Sequence, residues 1–180
     1  MLQKILNNFW VLESPVMAHQ PGIKVVEVSL LEGEQVIIGQ AHFIKTVEDL
    51  YEALITSSTR IKFGIGFCES SGPALVRHEG NDEELERRAA EIAYKIAAGH
   101  SFVIVLKDAY PINVLNRIKA VEEVVSIYCA TGNPVKVLVA EHEGGRGIIG
   151  VIDGLASKGI EGEKEKKERY EYLRKIGYKK

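Results

Sequence analysis

Apolar and polar residues alternate over residues 24–29 (KVVEVS), the period of a half-buried strand, and residues 35–40 (QVIIGQ) predict a second. Glu32-Gly33-Glu34 suits the turn between them. The period then changes to that of a helix: Val47, Leu50, Tyr51, Leu54 and Ile55 recur on one face, ending near Ser57. Thr46 is its expected N-cap, with Asp49 as capping-box partner. Residues 61–68 (IKFGIGFC) lack polar alternation beyond Lys62 and predict a central strand buried on both faces. A loop rich in Ser and Gly (ESSGP) follows, then ALVRH as a short strand or hairpin arm. Residues 83–98 form the clearest helix, with Leu85, Ala89, Ile92, Ala93, Ile96 and Ala97 in one stripe. Asn81 and Glu84 are expected to cap its start, and Gly99 to take the left-handed position after its end.

Residues 101–106 (SFVIVL) predict another buried strand, and Pro111 opens a helix (PINVLNRIKA), where its missing N–H costs nothing. VVSIYCA (124–130) and VKVLVA (135–140) predict strands separated by the turn sequence TGNP, and IIGVI (148–152) one more. From Glu161 onward the chain reads as a highly charged helix with Tyr170, Leu173 and Ile176 as its apolar contacts. Strand–helix alternation in the middle points to parallel strands, and the ends to antiparallel additions. The expected fold is α/β, bordering on α+β: a single layered domain with a mixed, partly parallel sheet and packed helices.

The 180 residues, 46% of them apolar, suffice for one domain with a real core. Residues 17–180 are read as that domain. Residues 1–16, just ahead of Met17, are read as an N-terminal extension, either disordered or foreign to the native chain. With 23 basic and 25 acidic residues well mixed and a net charge of −2, no nucleic-acid footprint exists. No stretch suits a membrane span. Cys68 and Cys129 sit in apolar runs without partners spaced for zinc, and read as buried hydrophobes.

The sharpest local string is GGRGIIG (144–150), which contains GxGxxG in Gly145, Gly147 and Gly150. Backbone N–H groups at such spacing approach phosphate oxygens, and Arg146 adds a fork of donors. No helix opens at the third glycine, so the Rossmann context fails, and a glycine-lined β-turn competes evenly. His42 precedes the helix capped by Thr46, whose amides favour anions. His100 stands between a helix end and a buried strand. The competing reading for each is a core histidine satisfied by one backbone bond. His19, His78 and His142 read as solvated. Asp82, Asp153 and Glu69 fall at helix starts or strand ends, where α/β sheets bind ligands, and Lys45 and Asn81 share that neighbourhood. Asp153 and Asp82 are candidate Mg²⁺ ligands; simple helix capping is the alternative for Asn81 and Asp82.

Several strings in order resemble the adenosine-specific kinase family: IIGQAHFIKTVEDLYEAL, KFGIGFCESSGPALVRHEGNDEEL, AAGHSFVIVL, YPINVLNRIK, IYCATGNPVKVLVAE, GRGIIGVIDG and the terminal LRKIGYK. They cover nearly everything from Lys24 to Lys179. The resemblance implies a cytoplasmic homotrimer that binds adenosine or adenine nucleotides and carries a phosphoryl group on a histidine. It places the nucleotide site on Lys45, Gly80, Asn81, Asp82, Gly145, Arg146, Gly147, Gly150 and Asp153, and the catalytic histidine at His100, with His42 second. A non-catalytic, oligomeric sensor or carrier of adenine nucleotides is the alternative.

Overall fold

A computed structural model of the protein describes residues 20–180. The expected extension at residues 1–16, together with Met17 and His19, lies outside them. Eight strands and four helices follow in the order β1 (Gly22–Val28), β2 (Gln35–Ala41), α1 (Thr46–Ile55), β3 (Lys62–Cys68), β4 (Val76–Gly80), α2 (Glu83–Ile96), β5 (Ser101–Lys107), α3 (Pro111–Lys119), β6 (Val124–Thr131), β7 (Val135–His142), β8 (Gly145–Asp153) and α4 (Glu163–Lys175). Among the described residues no helix is long and apolar enough to cross a membrane.

The strands form two sheets, β1-β7-β8 and β4-β3-β5-β2-β6, and every pairing is antiparallel. This corrects the expected single, partly parallel sheet. β2 and β3 do run the same way, joined by α1 as a parallel crossover would require. However, β5 lies between them and pairs antiparallel with both. In the same manner β5–α3–β6 straddles β2. Likewise β4–α2–β5 straddles β3, so three interlocked crossovers produce the strand–helix alternation without one parallel ladder. The extra reversal comes from the β3–β4 hairpin, which turns the chain round before α2.

The five-stranded sheet has two covered faces. On one, the row Ile65–Ile104–Ile37 runs across three strands, and Phe63, Phe67, Phe102 and Leu106 flank it. Leu50 and Leu54 of α1 and Val114 and Ile118 of α3 close that core. On the other face Val36, Ile38, Val103 and Val105 pack with α2 and with Val135, Val137 and Val139 of the small sheet. Each large apolar side chain buried in this way contributes about 1.5–3 kcal/mol.

Residues 61–68 owe their unbroken apolar character to this double burial, but the two faces differ. Phe63, Ile65 and Phe67 fill one side, while Gly64 and Gly66 let the α2 backbone lie directly on the other. A Cβ at Gly64 would come within 2.1 Å of the Leu85 carbonyl carbon. The helix boundaries also move from expectation. Asp82 is the N-cap of α2, accepting from the Leu85 amide at 3.2 Å, and Ala97, not Gly99, takes the left-handed C-cap at φ 50°. At α1, Lys45 holds the N-cap position without a side-chain cap, because the Thr46 hydroxyl donates to the Phe43 carbonyl.

Candidate functional site

One end of the five-stranded sheet gathers the C-terminal ends of β2 and β3 and the N-terminal ends of β4, β5 and β6. The Ala41 amide donates to the His100 carbonyl at 2.9 Å, and the His100 amide to the Cys68 carbonyl at 2.8 Å. Ala41 also pairs with Val124. His42, Lys45, Glu69, Ser70, Glu123 and His100 therefore converge at this end by strand register alone. Arg146 joins them from the small sheet: its guanidinium reaches the Lys95 and Ile96 carbonyls at 3.3 and 3.5 Å and stands 3.7 Å from Glu141. It thereby satisfies carbonyls that the last turn of α2 leaves open.

His100 has its Nε2 2.8 Å from Ser70 Oγ, and its ring stacks on Phe67 at a centroid distance of 6.0 Å. The loop after Cys68 is closed on itself. Leu75 donates its amide to Glu69 Oε2 at 2.9 Å, and Arg77 pairs with Glu69 Oε1 at 2.7 Å. Both contacts, the backbone amide first, hold the Glu69 carboxyl below its ordinary pKa. Ser70, Gly99, Gly145 and Arg146 line one cleft of about 350 Å³ beside this loop. Ala74 and Ala97, which line it, and His100, next in the chain to Gly99, all have positive φ, 50°, 50° and 60°. Such conformations cost about 1–3 kcal/mol each outside glycine and gather where function demands a geometry.

Lys45 bridges two acids, Asp49 and, at 2.5 Å, Glu123. Those bonds, Asp49's first, raise the lysine pKa, and Lys45 in turn holds Glu123 low. Glu123 is only 5% exposed. His42 is exposed and its Nδ1 lies 3.4 Å from the Glu123 carbonyl. The amides opening α1, expected to face an anion, already donate to the Phe43, Ile44 and Lys45 carbonyls.

The remaining predicted residues lie elsewhere. Gly80, Asn81 and Asp82 stand at the opposite end of β3, roughly 20 Å away at about 3.4 Å per residue. There Asn81 accepts from the Phe63 amide and donates to the Ile61 carbonyl, both at 2.8 Å. A Cβ at Gly80 would meet the Phe63 carbonyl at 2.7 Å. Asp153 is also at that end, accepting from Thr131 and Asn133 at 2.9 Å each. It adjoins β6 at one edge of the sheet, whereas Asp82 follows β4 at the other, so the two do not form one Mg²⁺ site. Among the described residues no three acids, histidines or cysteines are placed to hold a metal. Gly145, Arg146, Gly147 and Gly150 lie within β8, on the far side of a two-residue hairpin turn at Glu143-Gly144, both with positive φ. Cys68 and Cys129 are buried, and burial pushes the Cys129 thiol up to about 11.

Sequence reasoning passed over Ser70, Arg77, Asp49 and Glu123 as site residues. Lys45 and Asp49 are four apart on one helix, a visible signal. Ser70 and Glu123 become neighbours of histidines only through the β2–β5–β3 and β2–β6 pairings, which no local pattern announces.

Together these features define a two-sheet α/β protein with a cleft at one end of an antiparallel sheet, where His100 is bonded to the lining residue Ser70. The profile of the family described as adenosine specific kinase matches residues 26–179. The crystal structure of the PH1918 protein from Pyrococcus horikoshii OT3 is similar at 53% identity and a TM-score of 0.86, over 89% of this chain and 99% of that one. No protein of curated function matches. The chain belongs to the adenosine specific kinase family.

Proposed function

We propose that the protein binds adenine nucleotides at the histidine end of its large sheet and takes the terminal phosphoryl group onto His100. One observation carries this reading: the ladder holds His100 rigidly beside Ser70, at a cleft that Arg146 lines. The family description supplies the adenosine. In this reading Arg146 and Lys45 turn part of their bonding capacity toward phosphate oxygens, since a guanidinium has five donors and an ammonium three. Mg²⁺ would enter with the nucleotide, held mainly by its phosphates.

The competing reading, a sensor or carrier without turnover, draws support from the same cluster, because Lys45, Arg77 and Arg146 already have acids or carbonyls as partners. Thermal unfolding separates binding from its absence. ATP at a hundredfold excess over its dissociation constant stabilises the fold by about 2.7 kcal/mol. GTP stabilises it much less; equal shifts with ATP, GTP and inorganic phosphate refute adenine selectivity. Intact mass after incubation with ATP then tests turnover. A stable gain of one phosphate, lost in acid and kept in base, marks phosphohistidine.

The protein acts as a homo-oligomer, most simply the trimer that the resemblance implies, in the cytoplasm. The outer face of the small sheet supports this. Ile23 and Val25 of β1 and Ile149 and Ile152 of β8 are 66%, 55%, 55% and 49% exposed, an apolar strip awaiting cover. A mass of about 20 kDa by light scattering at micromolar concentration, near the 19.9 kDa of one chain, refutes it.

A further inference from the structure

The contact between Ser70 and His100 is built into three separate parts of the chain. Gly99 is the first: a Cβ there would stand 2.8 Å from the Ser70 Cβ, so a larger residue pushes the serine away. The loop closure is the second, since the Glu69 amide donates to the Leu75 carbonyl at 3.0 Å and the Glu69 carboxylate binds Leu75 and Arg77. The histidine backbone is the third, fixed in the left-handed region by its bonds to Cys68 and Ala41. Ser70 is itself exposed, so this arrangement buries no apolar side chain of its own. Its product is one hydrogen bond, 2.8 Å long, between one ring nitrogen and one hydroxyl.

We propose that Ser70 is the positioning residue of His100: it occupies Nε2, so that the phosphoryl group is carried on Nδ1. This rests on the phosphohistidine reading above. An imidazole attacks through the nitrogen that bears its lone pair, and the other nitrogen then carries the proton. With Nε2–H donating to Ser70 Oγ, the lone pair belongs to Nδ1. The hydroxyl also fills the space that a phosphorus on Nε2 would need. Among the described residues Nδ1 has no hydrogen-bond partner, and it is not one of the side-chain atoms buried without one. In the transfer the Nδ1 lone pair forms the N–P bond to the terminal phosphorus of ATP. The bond from that phosphorus to the β,γ-bridging oxygen breaks, and ADP leaves with the electron pair. The Nε2 proton stays on the ring, which becomes positively charged next to the serine oxygen.

The test is to incubate the full chain with ATP and Mg²⁺ and assign the phosphohistidine isomer by phosphorus NMR and isomer-specific antibodies. The wild type carries the label on Nδ1 alone. Ser70→Ala loses that exclusivity and labels Nε2 as well. Gly99→Ala does the same while keeping the hydroxyl, and melting curves of both variants show that the fold persists. Label on Nε2 in the wild type, or an unchanged isomer in Ser70→Ala, overturns the proposal and leaves the phosphohistidine reading standing. An acid-stable, base-labile phosphate on Ser70 also overturns it and makes His100 a base. Absence of any label removes the catalytic reading, and this proposal with it, while nucleotide binding is judged separately by the melting shifts.

Discussion

The two ends of the five-stranded sheet use the same residue types for different ends. At the β3 start, Asn81 and Asp82 spend their polar atoms on the protein's own backbone, and Asp153 spends its carboxylate on Thr131 and Asn133. The Asn81 and Asp82 bonds close strand and helix termini that water would otherwise have to serve, and those of Asp153 tie the end of β8 to the β6–β7 turn. At the histidine end, several side chains also pair with one another across separate elements. Lys45 binds two acids, Arg77 binds Glu69 and Ser70 binds His100, while the backbone there accepts three left-handed residues. A group bonded to its own backbone is committed for the life of the fold. A charged pair at a cleft can exchange one partner for a ligand. This difference, rather than residue type, separates a structural terminus from a site.

The largest test of that division is Asn81→Ala. Its carboxamide joins the Ile61 carbonyl to the Phe63 amide, so its loss strands one acceptor and one donor beside the sheet. Unfolding free energy should fall by roughly 2–4 kcal/mol, two lost bonds with part of their desolvation penalty. Affinity for ATP should stay the same. Denaturant titration and calorimetry at matched protein concentration measure the two quantities. A loss of affinity with stability unchanged would move Asn81 into the site.

Much of the fold is legible in the sequence because local periodicity suffices for it. The stripe Leu85, Ala89, Ile92, Ala93, Ile96 is the buried face of α2, and Pro111 does open α3. What escapes is register and order. KFGIGFC shows no polar alternation, yet its Phe-x-Ile-x-Phe and Gly-x-Gly rows already encode two unlike faces. The antiparallel order escapes because β5 inserts between β2 and β3, and insertion is a tertiary event. The site is legible where a helix spacing supplies it, as with Lys45 and Asp49, and hidden where a ladder does, as with Ser70 and His100. GxGxxG misleads for a related reason: glycines that permit a tight hairpin and those that cradle phosphate are written alike.

Arg146 sharpens the comparison, because it behaves like both ends at once. It binds helix carbonyls, as a structural residue would, and it also lines the cleft. Arg146→Ala should weaken AMP and ATP by roughly 1.5–3 kcal/mol, the worth of a hydrogen bond to a charged group, and leave adenosine nearly untouched. Calorimetric titration with adenosine and AMP reads the difference. An equal loss for both ligands, or none for either, would place Arg146 with the residues that only close a terminus.

The smallest effect belongs to Asp82, and pH isolates it. Its carboxyl is held below the ordinary aspartate range, first by the Leu85 amide that it caps and then by Lys62. A depressed folded-state pKa means that the ionised cap stabilises the fold above the unfolded value, near 3.9, and that this share is lost as pH falls through the folded one. At pH 7, Asp82→Ala should cost about 1 kcal/mol, as N-cap truncations do. In strong acid the gap to wild type should close. Asp82→Asn, a comparable cap without a titrating proton, should show little pH dependence of its own. Glu69 and Glu123 at the other end also have depressed pKa values, so all three proteins weaken in acid together. The difference between them therefore reports Asp82 alone. Denaturant titrations of the three at pH 7 and about pH 3 give that difference directly. A gap that persists undiminished in acid would mean that the carboxylate charge is not what caps α2. ATP affinity at pH 7 should be the same in all three, because a cap committed to its own helix has nothing left to offer a ligand.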